Sequence, residues 1–214
     1  MAEKQIKRPK LLIITGPQGS GNHMFAKIFS LHRNVKGWNM EPREWQGHHM
    51  EPFSQYWDNP AKLAEVEWTS PYYVTSVSSP YVKNRKNVFP DYAKFITAAK
   101  KYCDVTVAII GRDRTILNVQ QERLRGGRTT NYAVQSFKGI HDSCDYVHFI
   151  SHELFSLYGI RYLQSLEKTL NFPIAWRRYS DIIELQSNNA NKKYIQKIPK
   201  GDYDEEVVRA CEES

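Results

Sequence analysis
The apolar positions along the chain follow two rhythms. Short, nearly continuous apolar runs at 11–14, 72–78 and 105–110 have the β-branched and aromatic make-up of buried strands. Between them lie runs with helical spacing. Met24, Phe25, Ile28, Phe29 and Leu31 share one face, and Tyr92, Phe95, Ile96 and Ala99 share another. Further helices are predicted over 115–124 and over 152–170, the latter with Ser151 as its N-cap. A weaker strand is predicted over 145–151 and a final one over 173–179. Buried strands alternating with helices predict an α/β fold, a three-layer parallel sheet with helices on both faces. The chain of 214 residues shows no internal repeat and reads as one domain, 1–214. Segment 37–60, rich in Trp, His, Glu and Pro, reads as an ordered insert or long loop. Residues 187–214 read as a polar tail with a short helical ending near 204–213.

In parallel sheets of this kind, ligands bind at the carboxyl ends of the strands. Three polar clusters are expected there: the glycine turn 16–21, the stretch 76–80 and the stretch 111–114. The turn, Gly16-Pro17-Gln18-Gly19-Ser20-Gly21, has the length of a phosphate-binding loop. Its amides and the positive end of the next helix suit an anion. Asn22 stands where a nucleoside-triphosphatase loop carries lysine, and His23 stands where it carries the magnesium-holding hydroxyl. Both changes argue against hydrolysis of a metal-bound triphosphate and favour a terminal phosphate held without magnesium.

A net charge of +7 favours anionic partners: a nucleotide, a nucleic acid or an acidic surface. Aromatic interleaving near the basic stretch 123–132 (Arg123, Arg125, Arg128) is confined to Tyr132, so nucleic acid is not the expected partner. The three cysteines, Cys103, Cys144 and Cys211, are dispersed and point to a reduced compartment. No metal site is expected, since adjacent His48 and His49 lack a third ligand. The apolar run 11–14 is too short for a secretory signal or a membrane span, so a cytoplasmic protein is expected.

The segment 19–35 resembles the opening of the sulfotransferase family, in which a strand ends in a loop of the type P-[KR]-S-G-T-T. Ser20 and Gly21 match its S-G, Asn22 and His23 replace the two threonines, and Gly19 replaces the basic residue. The segment 107–124 resembles a second family motif, a strand ending in Arg with a hydroxyl residue eight positions on; here these are Arg112 and Gln120. The resemblance covers 10–38, 72–80, 105–121 and 174–183. It implies a P-loop-type fold and the donor 3′-phosphoadenosine 5′-phosphosulfate (PAPS). The 5′ end would lie on Gln18, Gly19, Ser20, Gly21, Asn22 and His23, and the 3′-phosphate on Arg112 and Gln120. It implies transfer of a sulfuryl group to a hydroxyl of a small molecule, lipid or glycan. One family base position falls on Ser78, a poor base, and the other falls near Glu41, with Glu44, His48 and His49 as rivals. His23 is a second catalytic candidate, as a donor to the bridging oxygen. Lys197 and Lys200 match a closing basic segment of the family only faintly, and a solvated basic tail is the favoured reading there. A degenerate kinase-like P-loop protein and a non-catalytic nucleotide-binding module stay open as alternatives.

Overall fold
The computed structural model describes residues 8–40, 53–83 and 86–187. Five strands form one parallel sheet: β1 (Lys10–Pro17), β2 (Val35–Lys36), β3 (Tyr72–Ser79), β6 (Asp104–Gly111) and β7 (Val147–Ser151), in the order β2-β3-β1-β6-β7. A small antiparallel hairpin, β4 (Tyr81–Lys83) and β5 (Lys86–Val88), follows β3. β1 is central, with Leu12 opposite Val74 of β3 on one side and Thr106 of β6 on the other. The chain leaves β3 on one flank and returns as β6 on the other, so the crevice above β1 is a topological switch point.

Both faces of the sheet are covered. Leu12, Ile14, Val74, Ala108, Ile110 and Ile150 pack under α1 (Asn22–Ser30), α6 (His152–Tyr158), α7 (Ile160–Leu170) and α8 (Tyr179–Ser187). Leu11, Ile13, Tyr73, Val107 and Ile109 pack under α2 (Tyr92–Ala99), α5 (Lys138–His141) and the 3₁₀ turns Ser54–Trp57 and Pro60–Glu65. This is the three-layer α/β fold that the apolar runs predict. Phe25, Ile28 and Phe29 of α1 are fully buried, at about 1.5–3 kcal/mol each. Tyr92, Phe95, Ile96 and Ala99 of α2 all face inward, and Trp57 stacks on Phe95 at 3.9 Å. Asp91 caps α2 through Lys94 N–H.

Three expectations need correction. Residues 173–179 form no strand: they pass through a 3₁₀ turn, Trp176–Arg178, into α8. Phe172, Ile174 and Ala175 bury into the helical layer instead, and Glu167 takes the N–H of Ile174 that a ladder would have used. The helix expected over 152–170 breaks at Gly159, whose φ is +50°. Between the helix expected over 115–124 and the strand expected over 145–151, where no element is predicted, the chain continues from α3 (Arg114–Arg125) into two more helices, α4 (Thr130–Ser136) and α5. The insert contributes buried Trp38, Phe53 and Trp57 at its two ends; 41–52 lies outside the described residues, as does the tail beyond Ser187 with Cys211, Lys197 and Lys200. Cys103 and Cys144 are buried free thiols, and burial pushes Cys103 up to about 12. No helix among the described residues is long and apolar enough to cross a membrane.

Candidate functional site
The glycine turn joins the tip of β1 to α1 at the switch point. Ser20 N–H donates to Pro17 O at 3.0 Å, and Phe25 N–H to Gly21 O at 3.2 Å. Gly21 is the N-cap of α1 at φ +96° and has no side chain to cap it, so the positive end of the helix opens on the turn. A Cβ on Gly16 would fall 2.3 Å from Ser20 Oγ and 2.9 Å from Ile110 O, so the turn is folded tightly over its first glycine. Ser20 Oγ and Gln18 Nε2 are buried and have no hydrogen-bond partner among the described residues. Buried donors of this kind call for an acceptor. Together with the positive end of α1 they suit an anion.

On the β3 side, the two positions that differ from a triphosphatase loop are tied to serines. Asn22 Nδ2 donates to Ser78 Oγ at 3.1 Å, and His23 Nδ1 lies 3.0 Å from Ser76 Oγ. Trp38 Nε1 donates to the same Ser76 Oγ at 3.3 Å and meets the His23 ring edge-on at 5.4 Å. Lys27, one turn beyond His23, lies over the Trp38 ring at 4.6 Å, and burial lowers its ammonium to about 8.

On the β6 side, Arg112 Nη1 donates to Gly19 O at 2.6 Å and to Gln120 Oε1 at 3.2 Å. The eight-residue spacing therefore brings both side chains onto the glycine loop. Gln121, buried at the next position, donates to Gln18 O at 3.0 Å and accepts from Thr129 N–H at 2.7 Å. It ties the loop to the start of α4. Ser151 Oγ accepts from Leu154 N–H, the cap expected from sequence. Burial alone would raise Glu153, but bonds from Asp113 N–H and Ser151 hold its carboxyl below the usual range. His152 closes the β7 side, its ring packed on the Cα of Gly21. Burial first, then Arg112, lower its pKa, while Glu153 works weakly the other way.

Gln18, Gly19, Ser20, Gly21, Asn22, His23, Arg112 and Gln120 thus lie together around one turn. Glu41, Glu44, His48 and His49 lie outside the described residues, as does the side chain of Arg125. Arg128 pairs with Glu122 at 2.6 Å. Three features had no sequence signal: His152, Gln121 as opposed to its neighbour, and the Lys27–Trp38–Ser76 group.

The sheet order and the lysine-free glycine turn at its switch point define a parallel α/β protein of phosphate-loop type. No protein-family model matches the chain, and no curated protein matches it. Among solved structures, a mouse sulfotransferase complexed with PAP aligns at 12% identity and a TM-score of 0.48, over 84% of this chain and 65% of its own. A shikimate kinase from Bacteroides thetaiotaomicron aligns at 12% identity and a TM-score of 0.39, over 77% of this chain and 99% of its own. The chain thus spans less than two thirds of the sulfotransferase it aligns with.

Proposed function
We propose that the protein is a PAPS-dependent sulfotransferase acting on a hydroxyl of a small molecule, lipid or glycan. The observation that carries this reading is the filling of the lysine and hydroxyl positions. Asn22 and His23 are hydrogen-bonded to Ser78 and Ser76, while the turn keeps the positive end of α1 and the buried donors of Ser20 and Gln18. That donor set suits a phosphate end, with the imidazole of His23 where a triphosphatase carries the hydroxyl that holds magnesium.

When bound, the nucleotide supplies the sulfuryl group and leaves as the 3′,5′-bisphosphate. The loop amides hold its 5′ end. Arg112, with Gln120, faces the same turn and binds the second phosphate. Glu41 takes the proton of the acceptor hydroxyl, and His23 donates toward the leaving oxygen. Calorimetry with adenosine 3′,5′-bisphosphate against ATP with magnesium tests the assignment. Binding of the bisphosphate alone supports it. Preference for ATP favours a kinase-like protein. Binding of neither leaves a P-loop module without this chemistry, a reading favoured by Ser78, which is bonded to Asn22 where a family base would stand. Arg112→Ala should weaken bisphosphate binding by about 1.5–3 kcal/mol; unchanged affinity removes Arg112 from the site. Glu41→Gln should abolish most turnover at near-normal nucleotide affinity, and retained turnover passes the role to Glu44 or a histidine.

A further inference from the structure
The loop has a second wall that no motif announced. The His152 ring lies against Gly21 so closely that a Cβ there would meet its Cδ2 at 2.8 Å and its Nε2 at 3.5 Å. Its Nε2 edge therefore borders the turn that presents the α1 amides. The other ring nitrogen faces Ser156, with Nδ1 3.5 Å from Oγ. The Ser156 hydroxyl donates to His152 O at 3.0 Å, and its 3.5 Å contact with Nδ1 lies at the limit of a hydrogen bond, so the neutral ring can carry its hydrogen on either nitrogen.

A phosphate has only acceptors to bring to that edge. Meeting it requires a hydrogen on Nε2, and a phosphate dianion at that edge favours the imidazolium, which keeps a hydrogen on both ring nitrogens. We propose that His152 is a phosphate-binding residue of the glycine loop that takes up one proton when the nucleotide docks. The proposal rests on the reading of the loop as a nucleotide site. Two charged groups face the ring: Arg112 from the tip of β6 and Glu153 from α6. Burial, then Arg112, hold the imidazole below the usual histidine value, with Glu153 opposing. A phosphate dianion held on the loop beside the ring works against both and favours the imidazolium.

The test is calorimetry with adenosine 3′,5′-bisphosphate from pH 6 to 8.5, in buffers of different ionisation enthalpy. Phosphate ionisation by itself strengthens binding as pH rises, since the second pKa lies near 6. Proton uptake by the protein does the opposite, at up to about tenfold per pH unit. The expected result is tighter binding toward pH 6.5, with close to one proton taken up per complex. In His152→Gln both should vanish while residual binding persists. The Cε1–H resonance of His152 in the wild-type protein should also move to the imidazolium position on adding bisphosphate at pH 7.5. An identical pH profile in wild type and His152→Gln, or an unmoved resonance in the complex, overturns the role of His152 and leaves the nucleotide site standing. Absence of bisphosphate binding by the wild type at every pH overturns both.

Discussion
Replacing three glycines separately with alanine dissects the turn, because each meets a different obstacle. Gly126 ends α3 at φ +69°, and a Cβ added there would have nothing within 4 Å, so Gly126→Ala measures left-handed strain alone, about 1–2 kcal/mol. Gly16 sits in the central strand, and its Cβ would meet Ser20 Oγ at 2.3 Å, Ser20 Cβ at 3.2 Å and the main-chain Ile110 O at 2.9 Å. Ser20 can rotate its hydroxyl, but β6 cannot retreat without breaking its ladder with β1. Gly16→Ala should therefore cost about 3 kcal/mol, the upper part of the usual range for overpacking. Gly21 at φ +96° combines strain with a contact to the His152 ring, which can swing aside. Its stability loss should resemble that of Gly126→Ala, about 1–2 kcal/mol. Its bisphosphate affinity should fall at least about tenfold, because the amides of the turn and the ring on its β7 side both move. Gly126→Ala should bind normally. Urea unfolding followed by tryptophan fluorescence gives the stabilities, and calorimetry gives the affinities. If Gly16→Ala is no less stable than Gly126→Ala, the turn is not packed against β6 as described. If Gly21→Ala binds like wild type, the α1 amides are not the anion site.

Gln121→Leu removes the bonds to Gln18 O and to Thr129 N–H, leaving a buried acceptor and a half-buried donor unmet. It should cost about 2–4 kcal/mol in chemical unfolding, whereas Gln120→Leu should cost less than about 1 kcal/mol; equal losses would refute the bridging role. His32 is lowered by burial and then by Arg33, with Glu167 opposing, and His152 is lowered as described. Between the ordinary histidine value and their own, the unfolded chain binds more protons than the native one, so stability falls as pH drops from 7 to 5. The lowered carboxyls of Asp58 and Glu153 act with the same sign at lower pH still. Urea midpoints at pH 7 and 5.5 check this, and a higher midpoint at 5.5 contradicts it.

The layered fold was legible because strands buried on both faces leave an uninterrupted apolar mark, as 11–14 and 105–110 do. Residues 173–179 misled for the same reason: a short apolar run has no period, and only Glu167, reaching from α7 to Ile174 N–H and Trp176 Nε1, reveals that the segment belongs to the helical layer. α4 and α5 are too short for a helical period to show over a turn or two. The site divides along the same line. The glycine turn is contiguous, and the step from Arg112 to Gln120 follows one strand tip and two turns of one helix, so both could be read locally. His152 could not. Its position beside Gly21 depends on β7 pairing with β6 and on β6 pairing with β1, two steps of strand order that no local pattern encodes. The same order explains why the turn has two unlike walls. Because the chain crosses over β1 between β3 and β6, serines from one flank hold Asn22 and His23, while a guanidinium and an imidazole from the other border Gly19 and Gly21. The β3 wall meets the turn with serine hydroxyls, and the far wall meets it with the Arg112 guanidinium. On the proposed function, phosphate charge would be drawn to the Arg112 side, and an acceptor would approach from the β3 side, beside Trp38 of the insert.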